Sequence, residues 1–287
     1  MLVLEKSRSY KSFKKEMGQQ NHLYITLLVS LTYLDKLKNP ECPPELHTSW
    51  KPQDIKTSIM RSRQYASKSA LNWCVDQLEV YMDKCNSDAM YPNEVKKMYD
   101  GTDRSVYRKF QVLYKQYGQS NVDLQVYSGI VALGIQWRNR MVHSTADNIL
   151  DEDFCNILRQ HVDFIKQNFC DLDVEKMLNN FENSNAPSLK EATSIIHATH
   201  KFVESIDHAL LNIIDLREYA KYLLKKHMDV HKSWYAKITR QVSFRKLGMI
   251  KSLLVNSGFT ENAESGLTDA DLESLCNQVL QDIVKRQ

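Results

Sequence analysis

The sequence predicts an all-α protein, and three observations carry that expectation. Glycine (8) and proline (6) are scarce in 287 residues, which disfavours a chain built on tight β-turns. Apolar residues recur at three- and four-residue steps through most of the chain. No segment shows the sustained alternation of a half-buried strand, and there is no internal repeat. The length allows one large or two modest domains.

The first residues, 1–20, are mixed in charge and read as a frayed or partly helical arm without the apolar core of a signal peptide. A first helix spans Asn21 to Lys38, with Leu23, Ile25, Leu27, Leu28, Leu31 and Leu34 near helical spacing. Pro40, Pro43 and Pro44 end it, because proline cannot continue the hydrogen-bond ladder. A long helix from Asp54 to Cys85 follows, its apolar face including Ile59, Ala66, Ala70, Trp73, Val80 and Tyr81. Tyr91-Pro92 restarts the chain into a short helix to Asp100, and Asp103 is the expected N-cap of a helix over Arg104 to Tyr117.

The helix from Val122 is the most informative. Val122, Val126, Ile130, Leu133, Trp137 and Met141 form one apolar stripe, and Leu124, Val131, Ile135 and Val142 a second. A helix apolar on two sides is the central element of a bundle. Gly129 and Gly134 inside it each cost about 1 kcal/mol relative to alanine, which marks close approach of another helix backbone. Asp151 caps a helix to about Cys170, and a short helix covers Val174 to Phe181. Residues 182–187, polar and proline-containing, separate a domain over 1–182 from a helical region over 188–287. There, Ser188 to Glu191 reads as a capping box opening a helix to about His227. Another helix runs from Trp234 to about Asn256, and Thr268 to Asp271 cap a last one to Lys285.

Composition narrows the chemistry. The six cysteines have no Cys-x-x-Cys spacing, so they read as reduced thiols and not as a disulfide framework or zinc site. The longest apolar stretch, Ile25 to Leu34, is too short to span a bilayer. A cytoplasmic protein without membrane contact is the expectation. There is no phosphate-binding Gly-x-x-x-x-Gly-Lys-Ser/Thr loop and no Gly-x-Ser-x-Gly elbow. His197, His200 and Glu204 fall at metal-ligand spacing, with Asp207 and His208 a turn further. They border an apolar seam, so polar boundary residues are the plainer reading, and no metal or cofactor is expected.

The chemistry concentrates at the end of the central helix, in Trp137-Arg138-Asn139-Arg140-Met141-Val142-His143. An arginine can stabilise anionic oxygens, an imidazole can move a proton near neutral pH, and an amide can orient either. Residues five apart on an ideal helix are rotated by about 140°, so Arg138 and His143 do not share a face; Asn139 and His143 do. A cooperating group from a second subunit would resolve this. Arginine and histidine at a helix C-terminus also simply favour the dipole and cap carbonyls.

The Arg138-Asn139-x-x-x-His143 spacing at the end of a long central helix resembles the Arg-x(4–6)-His signature of the HEPN superfamily. The likeness covers residues 21–182 in architecture and six residues in specific sequence. It implies a HEPN-like helical bundle acting as a metal-independent endoribonuclease, with a composite site at the two-fold axis of a homodimer. Arg138 would stabilise the scissile phosphate, His143 would act on the 2′-hydroxyl or leaving oxygen, and Asn139 would hold the phosphate or orient His143. The products would be a 2′,3′-cyclic phosphate and a 5′-hydroxyl. The resemblance also implies RNA restriction in toxin–antitoxin or anti-phage defence, under a regulatory or antitoxin protein. Members silenced by a partner nucleotidyltransferase carry tyrosine two positions after the histidine, where this chain has Thr145.

Residues 188–287 extend beyond that likeness. Between Arg217 and Lys251 ten lysines and arginines face only Glu218 and Asp229, a formal balance of 10 − 2 = +8. Tyr219, Tyr222, Trp234, Tyr235 and Phe244 are interleaved. Cations for phosphates and aromatic faces for bases are what single-stranded RNA binding requires, against a solvated face whose aromatics point inward. Lys225, Lys226, Lys232, Lys237, Arg240, Arg245 and Lys246, with Arg140 beside the motif, are the expected RNA contacts. The acidic tail is expected to dock on this surface or on another subunit. Two rival readings remain: a non-catalytic HEPN-like module that binds RNA or protein, and a structural helical adaptor.

Overall fold

A computed structural model describes residues 1–38, 40–142, 148–262 and 264–285, and it is all-α apart from one small sheet. In chain order, β1 (Leu2–Leu4) leads into α1 (Arg8–Leu34) and α2 (Ile55–Ser87), with a 3₁₀ turn at Pro44–Leu46 between the helices. Then come α3 (Asn93–Asp100), α4 (Val106–Leu113), a π turn (Tyr114–Gly118) and α5 (Val122–Val142). Helices α6 (Glu152–Gln160), α7 (Val162–Asn168), α8 (Val174–Glu182) and α9 (Leu189–Ile213) follow. The chain closes with α10 (Leu216–Val230), α11 (Lys232–Thr239), α12 (Ser243–Asn256), β2 (Phe259–Glu261) and α13 (Asp269–Val284).

These helices form two compact units, each discontinuous in sequence. One comprises Phe13–Val80 and Thr102–Val203; the other comprises Met1–Ser12, Tyr81–Gly101 and the chain from Glu204 on. Three of the four unit boundaries fall inside α1, α2 and α9, the fourth falls between α3 and α4, and residues 183–187 lie within the first unit.

The first unit is built around α5, buried from Leu124 through Trp137 apart from two half-buried positions, as its two apolar stripes require. The glycines do mark close packing, but against side chains and not the backbone expected. A Cβ at Gly134 would stand 2.5 Å from Ile195 Cγ2 of α9, and one at Gly129 would stand 3.2 Å from Leu158 of α6. Phe110, Tyr114, Phe154 and Phe202 make an adjoining aromatic core, with Phe110 and Phe202 centroids 5.1 Å apart. Several helix ends differ from expectation for local reasons. Ser105, not Asp103, caps α4 by accepting from Arg108 N. Asp151 accepts from the Gln111 amide at 2.8 Å and makes no side-chain cap. The helix after it divides at His161, whose φ of −114° and ψ of 31° lie off the helical values. The Ser188–Glu191 capping box forms in both directions.

Not all of the expected apolar faces turn inward. On α1, Leu23, Ile25 and Leu27 are exposed, as are Trp73 and Val80 on α2.

Of the arm expected to be frayed or partly helical, residues 8–20 are helical as part of α1, whereas residues 2–4 form a strand of the second unit. β1 pairs antiparallel with β2, Leu4 opposite Phe259 and Leu2 opposite Glu261. Only glycine fits beside it: Gly258 and Gly266 have φ of 115° and 116°, and a Cβ on either would fall within 2.4 Å of a backbone oxygen. Asp207, 2% exposed, anchors the start of α1 by accepting from Ser7 N at 3.0 Å, Ser7 Oγ and Tyr81 Oη. Burial raises the Asp207 pKa above the usual carboxylate value against the lowering effect of those donors. The helix expected to continue to His227 stops at Ile213 because Asp215 caps a new one, accepting from Arg217 N and Glu218 N. The helix expected over 234–256 is divided at 240–242, where the Thr239 hydroxyl turns back onto Tyr235 O and Ala236 O. Thr268 and Asp271 cap α13 reciprocally, as the sequence indicates.

Candidate functional site

Helix α5 delivers Arg138, Asn139 and Arg140 at its carboxyl-terminal end, behind the fully buried Trp137. Trp137 fixes the helix end by donating from Nε1 to Asn185 O at 2.9 Å and by meeting Phe181 edge-on. The next residue, Arg138, is mostly covered, with its side chain 19% exposed. Its Nη2 donates to Asp76 Oδ1 of α2 at 2.6 Å, and its Nη1 donates to Asn139 Oδ1 at 3.2 Å. Its Nε is buried and has no hydrogen-bond partner among the described residues. An unsatisfied buried donor costs about 1–3 kcal/mol, and such groups collect where function opposes stability.

Asn139 is held from its other side, donating from Nδ2 to Gln136 Oε1 at 3.3 Å. Gln136 in turn donates to Ile149 O at 2.8 Å. A chain of side-chain contacts thus runs from Asp76 through Arg138 and Asn139 to Gln136. His143, the third residue of the motif, lies outside the described residues, as does Thr145.

Arg140, expected as an RNA contact, is engaged within the chain. Its guanidinium stacks on the Phe181 ring at 4.0 Å. It donates from Nε to Asn148 O at 2.6 Å and from Nη1 to Phe181 O and Glu182 O at 3.0 and 3.2 Å. These donors tie α5 to the end of α8 and to Asn148.

The sequence missed Asp76 as the partner of Arg138. Its only local signal is a carboxylate on an exposed helix face, 62 positions away. The other candidates on α9 are accounted for by packing. His197 and His200 meet Phe169 and Phe13 edge-on, and burial lowers the His197 pKa below the usual imidazole value. Glu204 accepts from the Tyr10 hydroxyl at 3.1 Å, and His208 pairs with Asn212. Among the described residues no three His, Cys, Asp or Glu side chains converge on a metal-sized space.

In the second unit, the basic stretch divides into paired and unpaired cations. The acidic α13 docks on α10 and α12, so that Asp271 takes Arg217 at 2.5 Å, Asp282 takes Lys221 at 3.7 Å and Asp269 takes Lys251 at 2.7 Å. Lys226 pairs with Asp88 at 2.7 Å, and Lys246 reaches Asn277 at 3.3 Å. Lys225, Lys232, Lys237, Arg240 and Arg245 make no ion pair or side-chain hydrogen bond among the described residues. The aromatics divide too. Tyr219 is buried against Phe259, Tyr222 donates to Ser87 O at 2.6 Å, and Phe244 is 86% exposed.

No protein-family model matches this chain, and neither does any curated protein or solved structure. Among the described residues no helix is long and apolar enough to cross a membrane.

Proposed function

We propose that the protein is a metal-independent endoribonuclease of the HEPN type, active as a homodimer and serving RNA restriction in toxin–antitoxin or anti-phage defence. The observation that carries this reading is the Arg138 guanidinium, braced between Asp76 and Asn139 at the end of a buried helix. A cation fixed in this way needs little reorganisation to stabilise a phosphorane-like transition state.

In the reaction, the RNA 2′-oxygen forms a bond to phosphorus and the bond to the 5′-oxygen breaks. His143 takes the 2′-hydroxyl proton, the leaving 5′-oxygen takes a proton from the resulting imidazolium or from water, Arg138 neutralises the added charge, and Asn139 orients the phosphate or the imidazole. Asp76 acts as a positioning residue. No metal enters these steps.

The homodimer draws support from α2. Tyr65, Trp73, Asp76 and Val80 fall within about 80° of one another on this helix, and all four are exposed. Tyr65 also lines two adjoining grooves, of about 950 and 240 Å³, whose apolar walls include Leu23, Leu27 and Leu31 of α1. An apolar stripe that runs past the partner of Arg138 suits a two-fold contact with its own copy.

The rival reading, a non-catalytic RNA- or protein-binding module, draws on the same ion pair, because Asp76 already neutralises Arg138 in the resting chain. Cleavage of single-stranded RNA in EDTA separates the two. Arg138→Ala should lower the rate by about 10²–10³-fold and His143→Ala by about 10²–10⁴-fold, with EDTA having no effect. RNA binding without cleavage by the wild-type protein would favour the module, and a metal requirement would overturn the mechanism.

A further inference from the structure

The cations left without partners in the second unit surround a groove. It has a volume of about 690 Å³ and is lined by His227 of α10, Trp234 and Lys237 of α11, Gln241, and Arg245 and Met249 of α12. This is the size range in which small planar ligands are held. His227 stands edge-on to Trp234 at 4.8 Å between centroids, and His231 lies 4.4 Å from His227. Trp234 is thereby fixed as one wall, with a cation on α11 and another on α12 beside it.

The surrounding charge is not incidental to the stretch's composition. Helix α13 brings three carboxylates to this unit, and they neutralise Arg217, Lys221 and Lys251, none of which lines the groove. Lys237 and Arg245 on the groove, and Lys232 and Arg240 on either flank of α11, remain unpaired among the described residues. Phe244, 86% exposed, sits next to Arg245 and offers a second free aromatic face.

We infer that this groove holds single-stranded RNA, with one base against Trp234 and the phosphates on either side of it at Lys237 and Arg245. Arg240 and Lys232 extend the phosphate track, and Phe244 stacks a neighbouring base. Aromatic walls accept any base because every base has a π face, while the cations follow the backbone. The donors suited to reading base edges are Gln241 and the two imidazoles, so any sequence preference is weak. An anionic membrane is the less fitting occupant. It would use the exposed Val242 and Phe244 as an apolar tip but would leave a concave, aromatic-walled groove empty. The inference rests on the ribonuclease reading only for the class of nucleic acid, because the groove and Arg138 belong to different units.

The test is a fluorescence-anisotropy titration of a short labelled polyuridine strand against the full chain carrying His143→Ala, so that cleavage does not interfere. Trp234→Ala and the double variant Lys237→Ala/Arg245→Ala should each weaken binding about tenfold or more. The double variant should also flatten the salt dependence by about 0.7 per lost phosphate contact. Trp234→Phe should retain most of the affinity, which separates loss of stacking from loss of folding. Arg217→Ala removes one cation that is already paired and should change affinity less than twofold. Equal weakening by Arg217→Ala and the groove variants would reduce the effect to overall charge and overturn the inference. So would binding to phosphatidylserine vesicles that is lost in Phe244→Ser, with no RNA binding. Groove-dependent binding in a protein that cleaves no RNA would leave the inference standing and remove only the ribonuclease reading.

Discussion

Arg138 and Arg140 are two positions apart with the same side chain, and their surroundings give them different work. Arg138 ends in a carboxylate and an amide, Arg140 in three backbone carbonyls and an aromatic face. The planar guanidinium suits the second task because its donors form a rigid fork in its own plane and leave the face free to stack. Arg140→Ala should therefore lower stability by about 2–3 kcal/mol, read as a shift in the urea midpoint. Arg140→Lys should recover less than half of that loss, because an ammonium cannot serve three carbonyls while stacked. A variant as stable as wild type but defective in RNA binding would return Arg140 to the RNA surface.

At the scale of elements, α5 shows how a costly residue becomes favourable. Gly134 receives the Ile195 methyl group at a distance no Cβ could share, whereas a Cβ at Gly129 would press on the end of Leu158 at 3.2 Å, which a shift of a few tenths of an ångström relieves. Overpacking costs about 1–3 kcal/mol, while alanine gains about 1 kcal/mol in helix propensity over glycine. Gly134→Ala should come out destabilised by up to about 2 kcal/mol and Gly129→Ala within about 0.5 kcal/mol of wild type. Thermal or urea denaturation of the two variants side by side checks the ordering; equal effects would mean that Ile195 moves aside freely. The same scale explains the broken helices. Asp215 and Ser105 offer side-chain oxygens to backbone donors that a continuing helix would otherwise use, so a cap wins over propensity.

At the scale of the molecule, the apolar stripe of α1 and α2 governs assembly in the proposed dimer. Trp73→Glu places a charge on that stripe without entering the core, since Trp73 is already 36% exposed. The variant should keep its helical circular dichroism, sediment as a monomer and lose cleavage together with dimerisation. A wild-type protein that sediments as a monomer while fully active would sink the composite site.

Much of the fold was legible because helices announce themselves locally. The spacing of apolar residues marked α2 and α5 closely, the Tyr91-Pro92 break marked the start of α3, and the Ser188 and Thr268 boxes marked the starts of α9 and α13. The strand pair was not legible. Residues 2–4 are too short to show alternation, and their partner lies more than 250 positions away. Of the candidate site, the placing of Arg138 and Asn139 side by side at the end of α5 could be read directly, because neighbours on one helix keep their separation whatever the fold; His143 lies outside the described residues.

Sequence alone determined the helical class, the burial of α5 and the clustering of charge between 217 and 251, all consequences of local spacing and composition. Tertiary structure decided which charges remain available. It gave Arg138 to Asp76, spent Arg140 on carbonyls, and let α13 neutralise one part of the basic stretch while leaving the groove beside Trp234 unpaired. Periodicity fixes which face of a helix is polar, but a side chain's partner comes from whichever distant segment packs there, and only the folded chain brings the two together.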